Sequence, residues 1–149
     1  MALVEKDIPA RPWYRWFFNI YTSVDAARRY GSFYDTTTHT AAVINTAYPI
    51  TLNSTYPNNN TTLSYGIYLG AATSQVFVNN TAVYNVRFSV QCRSTASSPK
   101  NIYIWFRVNG VDVAQSAAQF TIVNGTTTVV ADQFMLSLNA GNYFELIWA

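Results

Sequence analysis

Charge is what this chain has least of. Only 11% of its 149 residues are Asp, Glu, Lys or Arg, against roughly 25% in an ordinary soluble domain. The net charge of +2 gives no basic footprint for a polyanion, so nucleic acid is not expected as a partner. A single cysteine, Cys92, cannot close an internal disulfide; beside a strand pattern it reads as a small buried hydrophobe. No run of residues is long and apolar enough to span a bilayer. The opening Met1-Ala2-Leu3-Val4-Glu5-Lys6-Asp7 carries charges where a secretory signal needs an apolar stretch, so none is expected. The five sequons starting at Asn53, Asn59, Asn60, Asn79 and Asn124 then follow from an Asn- and Thr-rich composition. Stability has to come from packing and association.

Catalytic groups are scarce too. His39 is the only histidine, and any Ser-His-Asp site would have to use it. No Gly-x-Ser-x-Gly elbow is present, and His39 reads as a loop or interface residue. Asp112, Asp132 and Glu145 are the carboxylates available for paired acid–base work, but nothing in the sequence pairs them. Metal sites need clusters of His, Cys, Asp or Glu, and here the acids are scattered. No phosphate-binding glycine loop occurs. An enzyme is therefore not expected, and no cofactor.

What is present is apolar and aromatic: 50% hydrophobic and 16% aromatic. From Tyr30 onward the pattern is strand and turn. Asn101 to Gln115 and Thr127 to Trp148 alternate aromatic or β-branched residues around tight turns, at Asn109-Gly110 and Asn139-Ala140-Gly141-Asn142. Strands are expected at Gly31–Tyr34, Ala42–Ile44, Thr62–Leu69, Ser74–Val78, Ala82–Cys92, Ile102–Val108, Val111–Gln115, Gln119–Val123, Thr127–Leu138 and Tyr143–Trp148. Many short strands at this spacing imply a sandwich or jelly roll. The stretch Asn53–Thr62, rich in Asn, Thr and Pro, reads as an exposed loop. Thr, Asn and Ser take the surface places of Lys and Glu. That composition suits a polar β surface, and equally an outside partly covered by partner subunits.

The front differs in chemistry. Nine of the sixteen Asp, Glu, Lys and Arg residues lie at or before Asp35, which marks a boundary near Tyr30. One domain is expected at 30–149, preceded by an arm and helix at 1–29. Pro12 suits a first helical turn, and Arg28 and Arg29 complement a helix C-terminus. Trp13, Phe17, Ile20 and Val24 recur at i, i+4, i+7 and i+11, one helical face. Trp16, Phe18 and Tyr21 widen the apolar girth beyond what a lone surface helix carries. Such a helix can dock on a larger assembly, pack under its own β domain, or lie on a membrane surface. Its short length and few arginines argue against the last, and no membrane partner is expected.

Three segments carry a resemblance. Asn80-Thr81-Ala82-Val83-Tyr84-Asn85-Val86-Arg87-Phe88-Ser89-Val90 resembles a G-x-Y-x-F-x-F strand, with Ala82 in the glycine position. Ile104-Trp105-Phe106-Arg107-Val108-Asn109-Gly110-Val111-Asp112-Val113 resembles an L-x-x-N-G-x-x-V hairpin. Leu136 to Leu146 resembles L-x-L-x-x-G-D-x-V-x-L, with Asn142 in place of aspartate. These are similar to the jelly-roll domains of the tumour-necrosis-factor and complement globular-head superfamily, over about four-fifths of the chain. The segment Gly31 to Ala42 resembles trimeric virion proteins of tailed bacteriophages.

The resemblance implies an all-β, tumour-necrosis-factor-like jelly-roll sandwich preceded by one short N-terminal helix, assembled as a homotrimer. It implies aromatic packing around a three-fold axis, for which Phe33, Tyr34, Tyr103, Trp105, Tyr143, Phe144 and Trp148 are the candidates. An axial ion held by loop carbonyls is left open. The expected task is that of a structural protein of a tailed-bacteriophage virion, made in the host cytoplasm. It would be capsid decoration or cement, or a short fibre or attachment protein, with other capsid or tail proteins as partners. Trp13, Trp16, Phe17 and Ile20 would supply buried anchoring contacts, and Arg11 and Arg15 would meet carboxylates on the particle. The competing expectation is a recognition module of a tail fibre that binds a host receptor or glycan through Asn53–Thr62 and through tyrosines such as Tyr56 and Tyr65. A soluble signalling ligand of the same fold is a remote third.

Overall fold

The computed structural model describes residues 29–58, 61–62 and 64–149, with residues 57, 58, 61 and 62 described by their backbone pairing alone. The expected helix and the anchoring residues Arg11, Arg15, Trp13, Trp16, Phe17 and Ile20 lie outside these. The described chain is all-β. In order it forms β1 (Tyr30–Gly31), β2 (Phe33–Tyr34), β3 (Tyr48–Pro49), β4 (Ser54–Thr55), β5 (Pro57–Asn58), β6 (Thr61–Thr62), β7 (Ser64–Tyr65), β8 (Ile67–Leu69), β9 (Val76–Val78), β10 (Ala82–Arg93), β11 (Lys100–Val108), β12 (Val111–Asp112), β13 (Ala118–Ile122), β14 (Thr127–Leu138) and β15 (Tyr143–Trp148).

Two layers face each other. The larger follows β12-β11-β15-β9-β8, with β13 also on β11 and β3 also on β15. β9 and β3 share one edge of β15: Phe144 pairs Val76 and Ile147 pairs Pro49. The other layer is an antiparallel ribbon of β10 and β14, in register from Ala82↔Leu138 to Arg93↔Thr127. The chain crosses between layers after β9, β10, β13 and β14.

Alternation explains the packing. The ribbon turns Tyr84, Leu136 and Leu138 inward, and the larger sheet turns Val76, Val78, Phe106 and Phe144 toward them; these seven form one core cluster. Ile104, Ile122 and Val130 form a second, flanked by Cys92 and Trp148. Phe106 sits at the centre, with ring centroids of Phe134, Phe88 and Phe144 at 5.7, 6.0 and 6.4 Å. Turn chemistry closes the hairpins: Asn109 and Gly110 both take positive φ, 48° and 82°, as an Asn-Gly hairpin turn requires.

Four local expectations are corrected. Ala42–Ile44 forms no strand; Val43 and Ile44 are exposed in a turn, because no neighbouring strand offers them an apolar face. Val111–Gln115 ends as a strand at Asp112, since Gln115 adopts a positive φ of 63° that breaks the ladder. Thr62–Leu69 breaks into short pieces around Gly66, which has φ of 70°. Asn53–Thr62 is not a plain loop: Ser54–Thr55 pairs with Phe33–Tyr34, and Pro57–Asn58 pairs with Thr61–Thr62.

Candidate functional site

The outer face of the larger sheet carries an aromatic row. Tyr68 pairs Phe77 in register, and Phe77 pairs Tyr143. Their rings follow suit, with Tyr68–Phe77 stacked at 5.5 Å and Phe77–Tyr143 at 5.2 Å. The row reaches the β11–β12 turn, where the Tyr143 amide donates to the Asn109 side-chain carbonyl at 3.0 Å. Gly70 makes the row possible: a Cβ there would lie 2.5 Å from the Phe77 ring. Strand alternation puts Tyr103 and Trp105 on the same outer side of β11, since Ile104 and Phe106 face the core.

Between these aromatics lies a small polar group. The Arg107 guanidinium donates to the Asp112 carboxylate, Nε to Oδ1 at 2.7 Å. The hydrogen bond from Arg107 holds Asp112 below the usual carboxylate range and raises Arg107 in turn. Arg107 is opposite Glu145 in register. Glu145 is 8% exposed and accepts a hydrogen bond from the Ser74 hydroxyl at 2.6 Å. The segment bearing Ser74 is held by Leu52 N–H donating to the Thr73 carbonyl at 2.9 Å. A carboxylate on an aromatic outer face is thus kept desolvated but hydrogen-bonded, which is the condition for burying it at all.

A second surface forms where the described chain begins. Residues 30–34 run as one strand along two partners: Tyr30↔Tyr65 and Gly31↔Ser64 on one side of a break, Phe33↔Thr55 and Tyr34↔Ser54 on the other. The paired residues of β5 and β6 fall, in chain order, between these two partner segments, and Tyr56 N–H donates to the Ser32 carbonyl at 2.8 Å. Phe33 packs on the core, and a Cβ on Gly31 would meet its ring, so Tyr30 and Tyr34 face outward. Tyr30 meets Tyr65 at 6.5 Å and Tyr34 meets Tyr56 at 6.1 Å, one pair on each side of the break. All four rings are exposed. The Arg29 guanidinium lies 5.1 Å over the Tyr65 ring and donates to the Asn80 side-chain carbonyl at 2.7 Å.

His39 belongs to a polar knot just beyond. The Asp35 carboxylate accepts from Thr37 N–H and Oγ1, both at 2.6 Å, from Thr51 Oγ1 at 2.8 Å and from Asn53 Nδ2 at 3.0 Å, with His39 Nε2 also at 3.0 Å. Burial alone would raise Asp35; the hydrogen bonds from Thr37, Thr51 and His39 outweigh it and push the carboxyl well below its usual range. The same His39 nitrogen faces both Asp35 and Thr51, the latter at 3.2 Å. A triad relay needs two imidazole nitrogens, one per partner; this arrangement is a turn lock. Among the described residues, no group of three or more His, Cys, Asp or Glu converges as a metal site.

The seven aromatic candidates divide. Tyr103, Trp105 and Tyr143 share the outer face of the larger sheet. Tyr34 lies on the tyrosine strand. Phe33, Phe144 and Trp148 turn toward the core clusters, Trp148 against Tyr48 at 5.8 Å. Tyr68, Phe77, Tyr30 and the Ser74–Glu145 pair were missing from the sequence-based set. The regular run Tyr143–Trp148 gave a signal for its own alternation only; pairing with other segments supplies the rest, Phe77 meeting Tyr143 from sixty-six residues away and Tyr30 meeting Tyr65 from thirty-five. No protein-family model matches the chain, and no curated protein matches it.

Proposed function

We propose that this is a structural protein of a tailed-bacteriophage virion, a homotrimer of tumour-necrosis-factor-like jelly-roll domains held to the capsid or tail by residues 1–29. It serves as capsid decoration or cement, or as a short fibre or attachment protein. The observation that carries this is the outer aromatic row Tyr68–Phe77–Tyr143 with Tyr103 and Trp105 alongside. Single exposed apolar residues are ordinary, whereas a row of three stacked rings on an outer sheet face, with two more aromatics beyond the Arg107–Glu145 group, fits an interaction face. A sheet face of this kind, paired by three-fold symmetry, matches the aromatic packing that the sequence resemblance implies. The two-layer path, with four crossings between layers, is compatible with jelly-roll connectivity.

Anchoring rests on composition. Residues 13–24 hold Trp13, Trp16, Phe17, Phe18, Ile20, Tyr21 and Val24 with few charges, too greasy for a segment fully in water. The experiment is incorporation into particles. A chain with Trp13, Trp16, Phe17 and Ile20 all changed to Ala should leave purified particles while remaining folded by circular dichroism. Undiminished incorporation of that variant contradicts the anchoring role.

A further inference from the structure

The two layers differ in how their strands are flanked. In the larger sheet β11 and β15 have partners on both sides, whereas β10 and β14 pair only with each other among the described residues. Each is twelve residues long. In an antiparallel pair every second residue turns its N–H and C=O away from the partner, so half of each strand points past the ribbon. An edge of that length invites another strand unless something blunts it. β14 carries such a device: Asp132 lies in its core-facing row, between Val130 and Phe134 and opposite Phe88. β10 carries none. Its core-facing row is Tyr84, Val86, Phe88, Val90 and Cys92, with no charge and no proline, and the last four are only half-buried. Its solvent-facing row holds Arg87 and Arg93, neither of them in an ion pair among the described residues.

Residues 1–28 join the described chain at the head of this edge. Arg29 donates to the Asn80 side-chain carbonyl at 2.7 Å, and the Tyr84 hydroxyl donates to the Asn80 backbone carbonyl, also at 2.7 Å. Asn80 stands two residues before β10. We propose that residues 2–8, Ala2-Leu3-Val4-Glu5-Lys6-Asp7-Ile8, form a third strand of the ribbon, paired along the open edge of β10. Alternation then puts Leu3, Glu5 and Asp7 on one face and Ala2, Val4, Lys6 and Ile8 on the other. The first face brings two carboxylates to the side of β10 that bears Arg87 and Arg93, and opposite charges on neighbouring strands attract. The second brings Val4 and Ile8 to the half-buried row of Val86, Phe88 and Val90. Lys6, the one charge in that row, blunts the new edge as Asp132 blunts the other. Pro9 has no N–H to donate and ends the pairing. The connecting residues 9–28 reach any point along β10, since an extended chain covers up to about 3.3 Å per residue and a strand of this length spans only about 40 Å. The proposal makes no use of residues 13–24 or of subunit number, so it stands or falls apart from the anchoring and trimer readings.

The test is hydrogen exchange on the full chain, read peptide by peptide by mass spectrometry. Deleting residues 2–8 should speed exchange of the edge amides of β10 by about tenfold or more, from the loss of one ladder of hydrogen bonds, and leave Tyr143–Trp148 unchanged. Val4→Pro combined with Glu5→Pro should do the same, because one of two neighbouring N–H groups faces β10. Glu5→Lys combined with Asp7→Lys should speed exchange by about threefold or more, and adding Arg87→Glu and Arg93→Glu should restore the wild-type rate. A carbodiimide, which joins a carboxylate to an amine in contact, should couple Glu5 or Asp7 to the lysine of an Arg87→Lys chain, in the single-chain band of a denaturing gel. Exchange of β10 that is equal in the wild type and the deletion overturns the proposal, as does a charge reversal that Arg87→Glu and Arg93→Glu fail to relieve. So does coupling found only in the double-chain band, because a sister copy would then supply the strand.

Discussion

Changing Phe106 to Ala separates core from surface most cleanly, because its sequence neighbours point the other way. Phe106 is 2% exposed and touches the rings of Phe88, Phe134 and Phe144, so it ties the ribbon to the larger sheet. Truncating a buried phenylalanine costs about 3–5 kcal/mol through lost transfer energy and the cavity left behind. Three ring partners, each contributing about 0.5–1.5 kcal/mol beyond area, place the loss near the upper end of that range. Total stabilities run to about 5–15 kcal/mol, so the variant should lose a third or more of its margin. At a urea dependence of about 2 kcal/mol per molar, the unfolding midpoint should fall by roughly 2 M. Tyr103, three residues earlier, is 43% exposed on the opposite side of the strand. Tyr103→Ala should change stability by no more than about 0.5 kcal/mol in dilute monomeric protein, and by more as concentration rises if the outer face is an interface. A loss below about 1 kcal/mol for Phe106→Ala would refute the two-layer packing derived above.

Three further outcomes follow from the same geometry. Gly70→Ala should cost about 1–3 kcal/mol by overpacking against Phe77, and near-ultraviolet circular dichroism should show the aromatic row disturbed; an unchanged spectrum and midpoint would contradict the close approach. Asp35→Asn should destabilise the protein at pH 7, and the gap to wild type should narrow with acid. The folded carboxyl lies below its unfolded value, so its contribution is complete above about pH 5 and declines as pH falls below about 4 toward the folded pKa; an equal gap at pH 7 and pH 2.5 would count against the hydrogen-bonded knot. Gly110→Val should slow folding or lower stability by about 1 kcal/mol or more, because a β-branched residue is strained at φ of 82°; urea unfolding with no measurable change would contradict the turn geometry.

The C-terminal half was legible because its regularity is local. Thr127–Leu138 and Tyr143–Trp148 have the ends expected from alternation, and the Asn109-Gly110 turn has the backbone that its residues demand. The segment from 30 to 65 was not, since its strands are two residues long and period-2 patterning has no room to show. Its order comes from a strand whose two partner segments are separated in sequence by the paired residues of β5 and β6, a relation that no local window contains. The tyrosine face was legible only in part: Tyr56 and Tyr65 were singled out, but Tyr30 joins them through register across thirty-five residues. Phe144 is an interface candidate by residue type and resemblance alone, and Tyr143-Phe144-Glu145-Leu146-Ile147-Trp148 is apolar on both faces apart from one acid. Residue type alone could not say which side meets the ribbon. Glu145 itself depends on Ser74, seventy-one residues away.

Light scattering on the purified full chain tests the proposed homotrimer most directly. Three copies of the 16.7 kDa chain should give a mass near 50 kDa that Tyr143→Ala and Trp105→Ala together reduce to the single-chain value. A stable mass of one chain at tens of micromolar, unaffected by those two substitutions, would mean that the outer aromatic row covers nothing.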